Sequence, residues 1–401
     1  MSNASDYDAD IIVAGAGPSG LVVSCEAVLA GARVLTLDKR NGPTWARAGN
    51  LMPRPLELFA SRGLIDRVMK RAWELHRDPR TTHGVWAGLP GLDYSQLETE
   101  YPYVLFLAQI ETEKILADHL QSIGGDLRLG HEVLGFEETS DGVRVQVCGA
   151  DGVTRILSAR YLVGADGNRS VVREAAGIDW MGHPAGRYAF NVDARIPNPY
   201  PQNLTVFHSQ NGWAMAYPLS DSVTRLAMID ARMGSRPHAT PPTLDEALEM
   251  LRWVHGSDHG VQEVQAITQF HDAMYCAQQL RKGKVFLVGE SVRVHYPASG
   301  VGMNFCIQDA FNLGWKIGGV AAGWLRDDVL DSYESERLPE LAKFLDNVRR
   351  QCAIQFNFDE EHEALKRFIE EDLISQPSVN RQLCKTLAGL NVRYPTAPDV
   401  H

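Results

Sequence analysis

The segment DIIVAGAGPSGL, which begins at Asp10, constrains the fold of this chain more than any other. Its apolar first half predicts a buried strand, and the G-x-G-x-x-G spacing of Gly15, Gly17 and Gly20 predicts a tight turn into a helix. The start of such a helix offers unpaired N–H groups and the positive end of its dipole to a diphosphate. A second apolar run ends in Asp38, where a carboxylate can bind ribose hydroxyls. We therefore predict a dinucleotide-binding βαβ unit, with a purely structural βαβ unit as the alternative.

Composition and charge argue against several classes of protein. The formal net charge of −11 at pH 7 and the lack of a long basic run argue against a nucleic-acid partner. The six cysteines show no C-x-x-C pair and no metal-like spacing, so we predict reduced thiols and no metal site. The apolar region near the start follows aspartates and is interrupted by Gly-Pro-Ser-Gly, unlike a signal peptide or a membrane span. These features predict a soluble, cytoplasmic protein without a membrane partner.

Two kinds of pattern alternate along the chain. Apolar strands followed by helices predict a Rossmann-like α/β domain, whereas short strands separated by Pro, Gly, Asp and Ser predict a mostly antiparallel sheet. The antiparallel region interrupts the α/β region, and a charged segment with helical periodicity ends the chain. We assign 1–73, 101–176 and 280–330 to a discontinuous nucleotide-binding domain, 74–100 and 177–279 to a substrate domain, and 331–401 to a C-terminal helical segment.

The antiparallel region contains four predicted strands and one predicted helix. The strands are Asn203–His208, Gly212–Tyr217, Val223–Ile229 and Val264–Phe270, and the helix is Leu244–Val254. Residues 74–100, which contain the run Gly-Leu-Pro-Gly, are predicted to be irregular. A long helix from Met303 to about Ala322 is apolar on most of its faces, which predicts that it is buried. Only one glycine fingerprint occurs, so a nicotinamide would have no Rossmann domain of its own.

Three motifs follow one another in the order found in a known family. They are the glycine turn with Asp38, then GADGNRSVVR at Gly164–Arg173, then VFLVGE at Val285–Glu290 with a glycine-rich turn and a helix after it. Smaller matches are Arg47, Gln109 with Glu113, and Tyr333 with Glu336, Arg337 and Pro339. Up to about residue 350 the chain resembles the class A FAD-dependent monooxygenases, the para-hydroxybenzoate hydroxylase-like family. Within that family it is most similar to the aromatic polyketide hydroxylases of antibiotic biosynthesis.

The resemblance implies a fold, a cofactor and a reaction. The fold is a Rossmann-like FAD-binding domain interleaved with the antiparallel substrate domain, and we expect no thioredoxin-like C-terminal domain. FAD is the implied cofactor and NAD(P)H a transient co-substrate. In the family, oxygen adds to the reduced flavin as a C4a-hydroperoxide, which hydroxylates an aromatic or polyketide-like molecule. The expected partner is therefore a small hydrophobic substrate, and the protein is expected to be a monomer or a homodimer.

By position within the motifs, the resemblance also implies which residues bind the cofactor. Around the first motif they are Gly15, Gly17, Pro18, Ser19, Gly20, Asp38, Lys39, Arg40, Arg47 and Gln109. In the second and third motifs they are Asp166, Gly289, Glu290, Pro297, Gly300, Gly302, Met303 and Asn304. A carboxylate after Gly289 can accept hydrogen bonds from ribityl hydroxyls. The turn before Met303 directs backbone N–H groups and a helix start toward the flavin ring.

Five positions near the expected flavin differ from the family pattern. They are Glu290 in place of aspartate, Arg293 in place of histidine, Tyr296 in place of a proline, Val301 in place of a polar residue and Tyr275 where arginine is frequent. Pro297, Arg293 and Tyr275 are the predicted catalytic residues. The differences leave two alternatives to hydroxylation. One is a decalin-forming (4+2) cyclase of the spirotetramate type, with structural FAD and catalysis by holding the reacting groups together. The other is a catalytically silent flavin-binding relative.

Four residues of the antiparallel region are candidate substrate contacts, namely Phe207, Trp213, Tyr217 and His271. Alternation along the strands would place some of them over one face. Aromatic residues on a sheet belong to the core more often than to a pocket, which is the competing interpretation. No histidine forms a recognisable acid–base pair with a carboxylate in the sequence.

Overall fold

The computed structural model describes residues 7–43, 48–197, 204–232 and 242–394. Its strands are β1 (Ala9–Ala14), β2 (Val34–Asp38), β3 (Asn50–Leu51), β4 (Arg80–Thr81), β5 (His83–Trp86), β6 (Leu89–Asp93), β7 (Val104–Phe106), β8 (Asp126–Leu129), β9 (Glu132–Glu138), β10 (Val143–Cys148), β11 (Thr154–Gly164), β12 (Trp180–His183), β13 (Tyr188–Arg195), β14 (Thr205–Ser209), β15 (Gly212–Ser220), β16 (Val223–Asp230), β17 (Gln262–His271), β18 (Met274–Ala277), β19 (Arg281–Lys282), β20 (Val285–Leu287) and β21 (Arg293–Val294). Its helices are α1 (Pro18–Leu29), α2 (Pro53–Ala60), α3 (Ile65–Leu75), α4 (Gln109–Ser122), α5 (Val171–Ala176), α6 (Leu244–His255), α7 (Gly302–Ala321), α8 (Asp331–Gln355), α9 (Glu360–Phe368) and α10 (Pro377–Ala388), with a π-helical turn at Ile369–Ile374.

The largest sheet carries the glycine turn. Its strand order is β19-β20-β11-β1-β2-β8, and β10 joins β11 to β9 at one side. β1 runs parallel to both β2 and β11, and β11 runs parallel to β20. The side chains of Ile11, Ile12 and Val13 are fully buried, as expected of a central parallel strand. These observations confirm the predicted α/β class.

Helices α1 and α7 pack closely against each other beside this sheet. Gly314 and Gly318 of α7 permit the approach, because a Cβ at these positions would lie 2.5 Å from the Cβ of Glu26 and 2.6 Å from the Cα of Ala27. The predicted long buried helix is therefore confirmed to within one residue at each end. The packing also brings the starts of the two helices to the same edge of the sheet.

The second sheet is antiparallel throughout, with the strand order β14-β15-β16-β13-β17. Helix α6 covers one of its faces and buries a core of its own there, formed by residues such as Phe190, Leu226, Met228, Met250 and Leu251. The other face is turned toward the nucleotide-binding domain, since Trp213, Ala227 and Ile229 belong to the main core. The antiparallel sheet and α6 thus form two layers, and the second face of the sheet packs toward the large sheet's core.

Sequence patterns predicted four of the five strands of this sheet but missed β13, which lies between β16 and β17. The structure confirms the four predicted strands as β14 to β17, and the predicted helix as α6, with small changes at their ends. Strand β13 was not predicted, although it pairs with both β16 and β17. It carries the polar residues Asn191 and Asp193 among its apolar ones, which weakens the strand signal in the sequence.

The prediction that residues 74–100 are irregular was wrong. β5 and β6 form a hairpin whose turn contains Ala87 and Gly88, with φ values of +54° and +75°. The C-terminal segment is helical, as predicted, through α10. It packs on the hairpin, where Asn380 Nδ2 donates to the Gly91 carbonyl over 2.7 Å and Asn380 Oδ1 accepts from the Asp93 N–H over 3.0 Å. The hairpin and the C-terminal helices therefore form one layer.

Candidate functional site

The turn between β1 and α1 is built for an anion. Gly15 has a φ of +105°, and a Cβ there would overlap the carbonyl oxygen of Ala165, while a Cβ at Gly20 would overlap the carbonyl oxygen of Gly15. Gly17, by contrast, has nothing within 4 Å of its Cβ position. No side chain caps the helix, which starts at Pro18, so its first N–H groups have no side-chain acceptor. The open side at Gly17 is where a diphosphate would lie.

A chain of polar contacts marks the end of β2. Asp38 accepts hydrogen bonds from the Ala16 N–H at 2.7 Å and from Arg40 Nη2 at 2.8 Å. Burial alone would raise the pKa of Asp38, but the bonds from Arg40 and Ala16 outweigh it, and the pKa lies below its usual value. Arg40 Nη1 also lies 3.6 Å from Glu113 Oε2, and Gln109 Nε2 donates to Glu113 Oε1 over 2.7 Å. Asp38 is thus held as a carboxylate, the state that accepts from ribose hydroxyls.

Two further predicted cofactor contacts lie at the margin of this region. Lys39 is exposed, and its Nζ lies 3.5 Å from Glu132 Oε1. Arg47 lies outside the residues that the structure describes, so its role stays a prediction.

The second motif reaches the same turn from the neighbouring strand. The Ala165 N–H donates to the Ala14 carbonyl over 2.8 Å, which places the loop after β11 against Gly15. Asp166 Oδ2 accepts from the Val172 N–H at 3.1 Å, whereas Oδ1 is buried without a hydrogen-bond partner in the described chain. Burial raises the pKa of Asp166. An unpartnered carboxylate oxygen beside the anion turn fits a ligand that brings hydroxyl donors, as FAD does.

The third motif brings a second helix start to the site. Gly289, which follows β20, has a φ of +72°, and a Cβ there would overlap the hydroxyl of Ser19 at the start of α1. Glu290, the next residue, is exposed. Cys306, in the second turn of α7, also lies beside Gly289. The starts of α1 and α7 therefore meet around this glycine.

The turn before α7 is fixed by Asn304. Its Oδ1 accepts from the Met52 N–H at 2.7 Å, and its Nδ2 donates to the carbonyls of Asn50 and Gly300 over 3.2 and 3.3 Å. We call residues 297–301, between Pro297 and the start of α7, the flavin-facing turn, after the role that the family resemblance predicts for it. Pro297 is exposed, Gly300 has a φ of +66°, and Gly302 is the first residue of α7, followed by the buried Met303. Asn304 thus joins this turn to β3.

Arg293 does not lie at the surface of the flavin-facing turn. It is 1% exposed, and its Nη1 donates to Asp309 Oδ2 over 2.8 Å, while Arg337 Nε donates to Asp309 Oδ1 over 2.6 Å. Its Nη2 lies 3.1 Å from Cys306 Sγ, and burial raises the pKa of that thiol to about 11. Two buried guanidinium groups share one carboxylate, so a catalytic role of Arg293 would act through its neighbours rather than by contact with a substrate.

Tyr275 belongs to a stack of rings next to the second motif. Its ring lies parallel to Trp180 at a centroid distance of 5.9 Å, and the Arg173 guanidinium lies 3.8 Å from the centroid of Trp180. Arg173 in turn donates to the carbonyls of Asn168 and Ser291, each over 3.1 Å. Trp180 was not predicted, because an arginine seven residues before a tryptophan is not a local signal for such a stack.

The structure separates the four predicted substrate contacts. Cross-strand pairing places His208 opposite Trp213 and Tyr217 opposite Arg225, on the face turned toward the nucleotide-binding domain. Phe207 lies on the opposite face, where its ring contacts His255 of α6. His271 pairs with Tyr188 and shares that second face. Only Trp213 and Tyr217 are thus on the cofactor side of the sheet.

One row of residues crosses all five strands on the cofactor side. The row, which we call the central row, consists of Thr268, Asn191, Ala227, Met215 and Val206. Ala227 is buried, but the other four are half-buried or exposed. Asn191 Nδ2 donates to Thr268 Oγ1 over 3.4 Å, so the row is apolar at one end and polar at the other.

The two rows beside the central row are packed. On one side, Phe270 lies 5.7 Å from the ring of Tyr296, and Trp213 Nε1 donates to the Gly88 carbonyl over 2.8 Å. On the other side lie the fully buried pair Asp193 and Arg225, with two bonds of 2.6 and 2.7 Å, and Tyr217, which stacks on Phe106. The central row lies between these two packed rows, which form its walls, and keeps partial exposure at four of its five positions, although Met215 and Val206 also pack against the main core. Its members could not be found without the strand register.

Within the described ranges, no cluster of three or more His, Cys, Asp or Glu side chains could hold a metal ion. No helix among them is long and apolar enough to cross a membrane. All six cysteines are unpaired, as predicted.

Comparison with known proteins agrees with this geometry. Residues 8–348 match the model of the family described as FAD binding domain. The chain is 37% identical over 407 residues to the 12-dehydrotetracycline 5-monooxygenase/anhydrotetracycline 6-monooxygenase of Streptomyces rimosus, covering 97% of this chain and 78% of that protein. It is 35% identical over 390 residues to a rifampicin monooxygenase of Streptomyces venezuelae, covering 96% and 79% of the two chains.

Solved structures give the same result for the fold. The anhydrotetracycline hydroxylase from Streptomyces rimosus superposes with a TM-score of 0.85 at 36% identity, over 98% of this chain and 78% of that chain. A more distant similarity, 27% identity over 395 residues, covers 97% of this chain and 82% of the dialkyldecalin synthase of Streptomyces rugosporus. The fold is therefore shared by hydroxylases and by a cyclase, with the higher identity on the hydroxylase side.

Proposed function

The chain belongs to the family of flavin-dependent monooxygenases that share this FAD binding domain, and from that premise we propose that it hydroxylates a flat, mostly apolar aromatic or polyketide-like molecule. One observation carries the proposal. Three loops, at Gly15, Asp166 and Gly289, meet around the uncapped start of α1, and the central row of the antiparallel sheet keeps partial exposure at four of its five positions. The first feature suits a bound dinucleotide, and the second suits a flat substrate lying beside it.

Several described residues suit parts of a bound FAD. The turn at Gly17 and the start of α1 would hold the diphosphate, Asp38 the ribose, and Asp166 Oδ1 a hydroxyl of the bound molecule. The start of α7 would direct its positive dipole end toward the flavin ring. When bound, FAD would carry two electrons from NAD(P)H to dioxygen, of which one atom would enter the substrate and the other would leave as water.

The chain's own residues would bind and orient the substrate and exclude water. The apolar part of the central row, Met215 and Val206, would contact a ring system, while Asn191 and Thr268 would hydrogen-bond a hydroxyl or carbonyl group on its edge. The packed row that contains Trp213 would close one side against solvent. NAD(P)H would bind transiently, since the chain has one glycine fingerprint. The unpaired cysteines suit a reducing, cytoplasmic location.

The cyclase is the second candidate, because the dialkyldecalin synthase similarity spans 97% of the chain. The buried ion pair between Arg293 and Asp309 does not depend on reduction of the flavin, so it is compatible with either activity. Identity of 37% to a tetracycline-type monooxygenase against 27% to the cyclase favours hydroxylation.

Anaerobic stopped-flow mixing of the FAD-loaded protein with NADPH or NADH distinguishes the two. The mixing is repeated with anhydrotetracycline, rifampicin and a linear polyene present. For a hydroxylase, we expect the flavin band at about 450 nm to bleach faster with a bound aromatic compound than without one. When isotopically labelled dioxygen is then admitted, the hydroxylated product should carry one labelled oxygen atom. An unbleached flavin together with a cyclised polyene of unchanged mass would instead establish the cyclase.

A further inference from the structure

Two strained backbone positions lie next to each other at the flavin-facing turn. Ser299 in that turn has a φ of +52°, and Ala87 in the β5–β6 hairpin has a φ of +54°. Both are non-glycine residues in the left-handed region, which is costly and persists only where the surroundings impose it. One side chain touches both, and it comes from a third part of the chain, helix α8.

That side chain is the amide of Gln351, which is fully buried. Its Oε1 accepts from the Ala87 N–H at 2.9 Å and lies 2.6 Å from Ser299 Oγ, which is itself 2.8 Å from the Val85 carbonyl. The Ala87 N–H can only donate, so it fixes the oxygen end of the amide toward the hairpin. The single proton of Ser299 then goes either to Gln351 or to Val85. One oxygen atom thus contacts both strained residues.

The other end of the same amide has no hydrogen-bond partner. Gln351 Nε2 is buried and unpartnered in the part of the chain that the structure describes. A buried donor without an acceptor destabilises the fold, and an apolar side chain of similar length would avoid that cost. The amide is therefore explained by what its oxygen does, which is to hold the two turns, and not by its own contribution to stability.

Neighbouring side chains on α8 continue the contact with the hairpin. Asn347, one turn earlier, accepts from Trp86 Nε1 at 3.1 Å, and Gln355, one turn later, lies beside Gly88. The Gly88 carbonyl is in turn the acceptor for Trp213 of the antiparallel sheet. A path of direct contacts thus runs from the wall of the central row, through the hairpin turn and Gln351, to the flavin-facing turn.

We propose that Gln351 is a positioning residue that sets the shape of the flavin-facing turn and ties it to the wall of the central row. This inference rests on the proposed function, because it assigns Gln351 a role toward a flavin bound at that turn. Its consequence is that the C-terminal helix α8, outside the three cofactor motifs, controls how the flavin is held and how well its reduction is coupled to hydroxylation.

The test compares Gln351→Met, Gln351→Glu and a matched control, Asn347→Leu, on FAD-loaded protein. Gln351→Met removes the shared acceptor, so we expect FAD affinity to fall roughly fivefold to tenfold, the visible circular dichroism of the flavin to change, and the share of NADPH electrons lost as hydrogen peroxide to rise. Gln351→Glu keeps an acceptor oxygen and should recover most of the flavin signal. Asn347→Leu loses only the Trp86 bond and should keep the wild-type flavin spectrum.

A second variant covers the case in which Gln351→Met does not fold. Ser299→Gly removes the hydroxyl and relieves the left-handed strain, so it should reproduce the flavin changes without loss of thermal stability. Wild-type FAD affinity and flavin dichroism in both Gln351→Met and Ser299→Gly would overturn the proposal. FAD affinity and flavin dichroism need FAD binding but no substrate, so a protein that binds FAD and hydroxylates nothing would disprove the proposed function and still test Gln351 by these two readouts.

Discussion

The phosphate turn and the central row of the antiparallel sheet are built in opposite ways. The turn is made by six consecutive residues, and its properties come from backbone that side chains would block, as at Gly15 and Gly20. The central row takes one residue from each of five strands, the first at Asn191 and the last at Thr268, and its properties come from strand register. The proposed diphosphate site therefore lies in a short motif, whereas the proposed substrate site is spread over a sheet. Substitutions in each region test whether the two are energetically separate.

The largest effect is expected at Gly20, and Gly17 provides the contrast within the same motif. In Gly20→Val the side chain would overlap the Gly15 carbonyl, so we expect loss of FAD binding and about 3 kcal/mol or more of unfolding free energy. Gly17→Ala has open space and an extended backbone, and should keep the stability of the FAD-free protein. Its methyl group would occupy the diphosphate side, lowering FAD affinity by roughly 100-fold.

Urea unfolding of the FAD-free variants and flavin fluorescence titration measure the two quantities. If Gly17→Ala lost stability as well, the turn would be a packing feature and not a binding surface.

A nearly equal effect is expected in the sheet, at the buried pair Asp193–Arg225. Burial opposes the charge of Arg225, but Tyr217 and Asp193 raise its pKa, so it stays ionised. Asp193→Ala would leave that cation unpaired and should cost about 3–5 kcal/mol of unfolding free energy. The exposed pair Arg195–Glu263 ends the same strand, and Arg195→Ala should change stability by less than about 0.5 kcal/mol.

Thermal and urea unfolding check both values, and Asp193→Leu combined with Arg225→Leu should regain much of the loss. A wild-type unfolding midpoint in Asp193→Ala would show that the wall of the central row does not depend on this pair.

The contrast between the short glycine turn and the central row also explains which features the sequence could predict. The glycine turn, Asp38 and the long helix α7 were predictable, because glycine requirements and periodicity are local signals. Strand β13 was missed, since Asn191 and Asp193 interrupt its apolar pattern. The sequence also could not predict on which face of the sheet a residue lies. Phe207 and Trp213 are both aromatic, and only the pairing of β14 with β15 places them on opposite faces.

A smaller effect, confined to substrate binding, is expected for the central row. Asn191→Leu removes the polar group, so the KM of whichever compound speeds flavin reduction should rise roughly fivefold while FAD affinity stays unchanged. Phe207→Leu, on the opposite face of the sheet, should lower stability by about 1 kcal/mol and leave KM as in the wild type. Steady-state kinetics with flavin titration separates these outcomes. A raised KM in Phe207→Leu alone would place the substrate on the α6 side.

The smallest effect is a pH dependence that has opposite signs at the two acids of the cofactor site. Burial raises the pKa of Asp166 above its ordinary 3.8, so its proton is bound more tightly in the folded protein. That contribution to stability is complete below pH 3.8 and is lost as pH rises through the folded-state pKa. Asp166→Asn does not titrate and should be more stable than the wild type above this window, by roughly a few degrees in Tm, and the advantage should vanish on acidification.

Asp38 should behave in the reverse way, because its pKa is lowered: burial works against this, but the hydrogen bonds from Arg40 and Ala16 prevail. Its contribution is present above pH 3.8 and is lost as pH falls through the lowered pKa, so Asp38→Asn should be less stable than the wild type at neutral pH. Melting curves of the FAD-free proteins between acid and neutral pH measure both differences. We expect Asp166 to destabilise the FAD-free protein because its Oδ1 has no hydrogen-bond donor among the described residues. Asp38, in contrast, already accepts hydrogen bonds from Arg40 and Ala16. Equal signs at the two positions would remove that distinction and, with it, the assignment of Asp166 Oδ1 to the ligand.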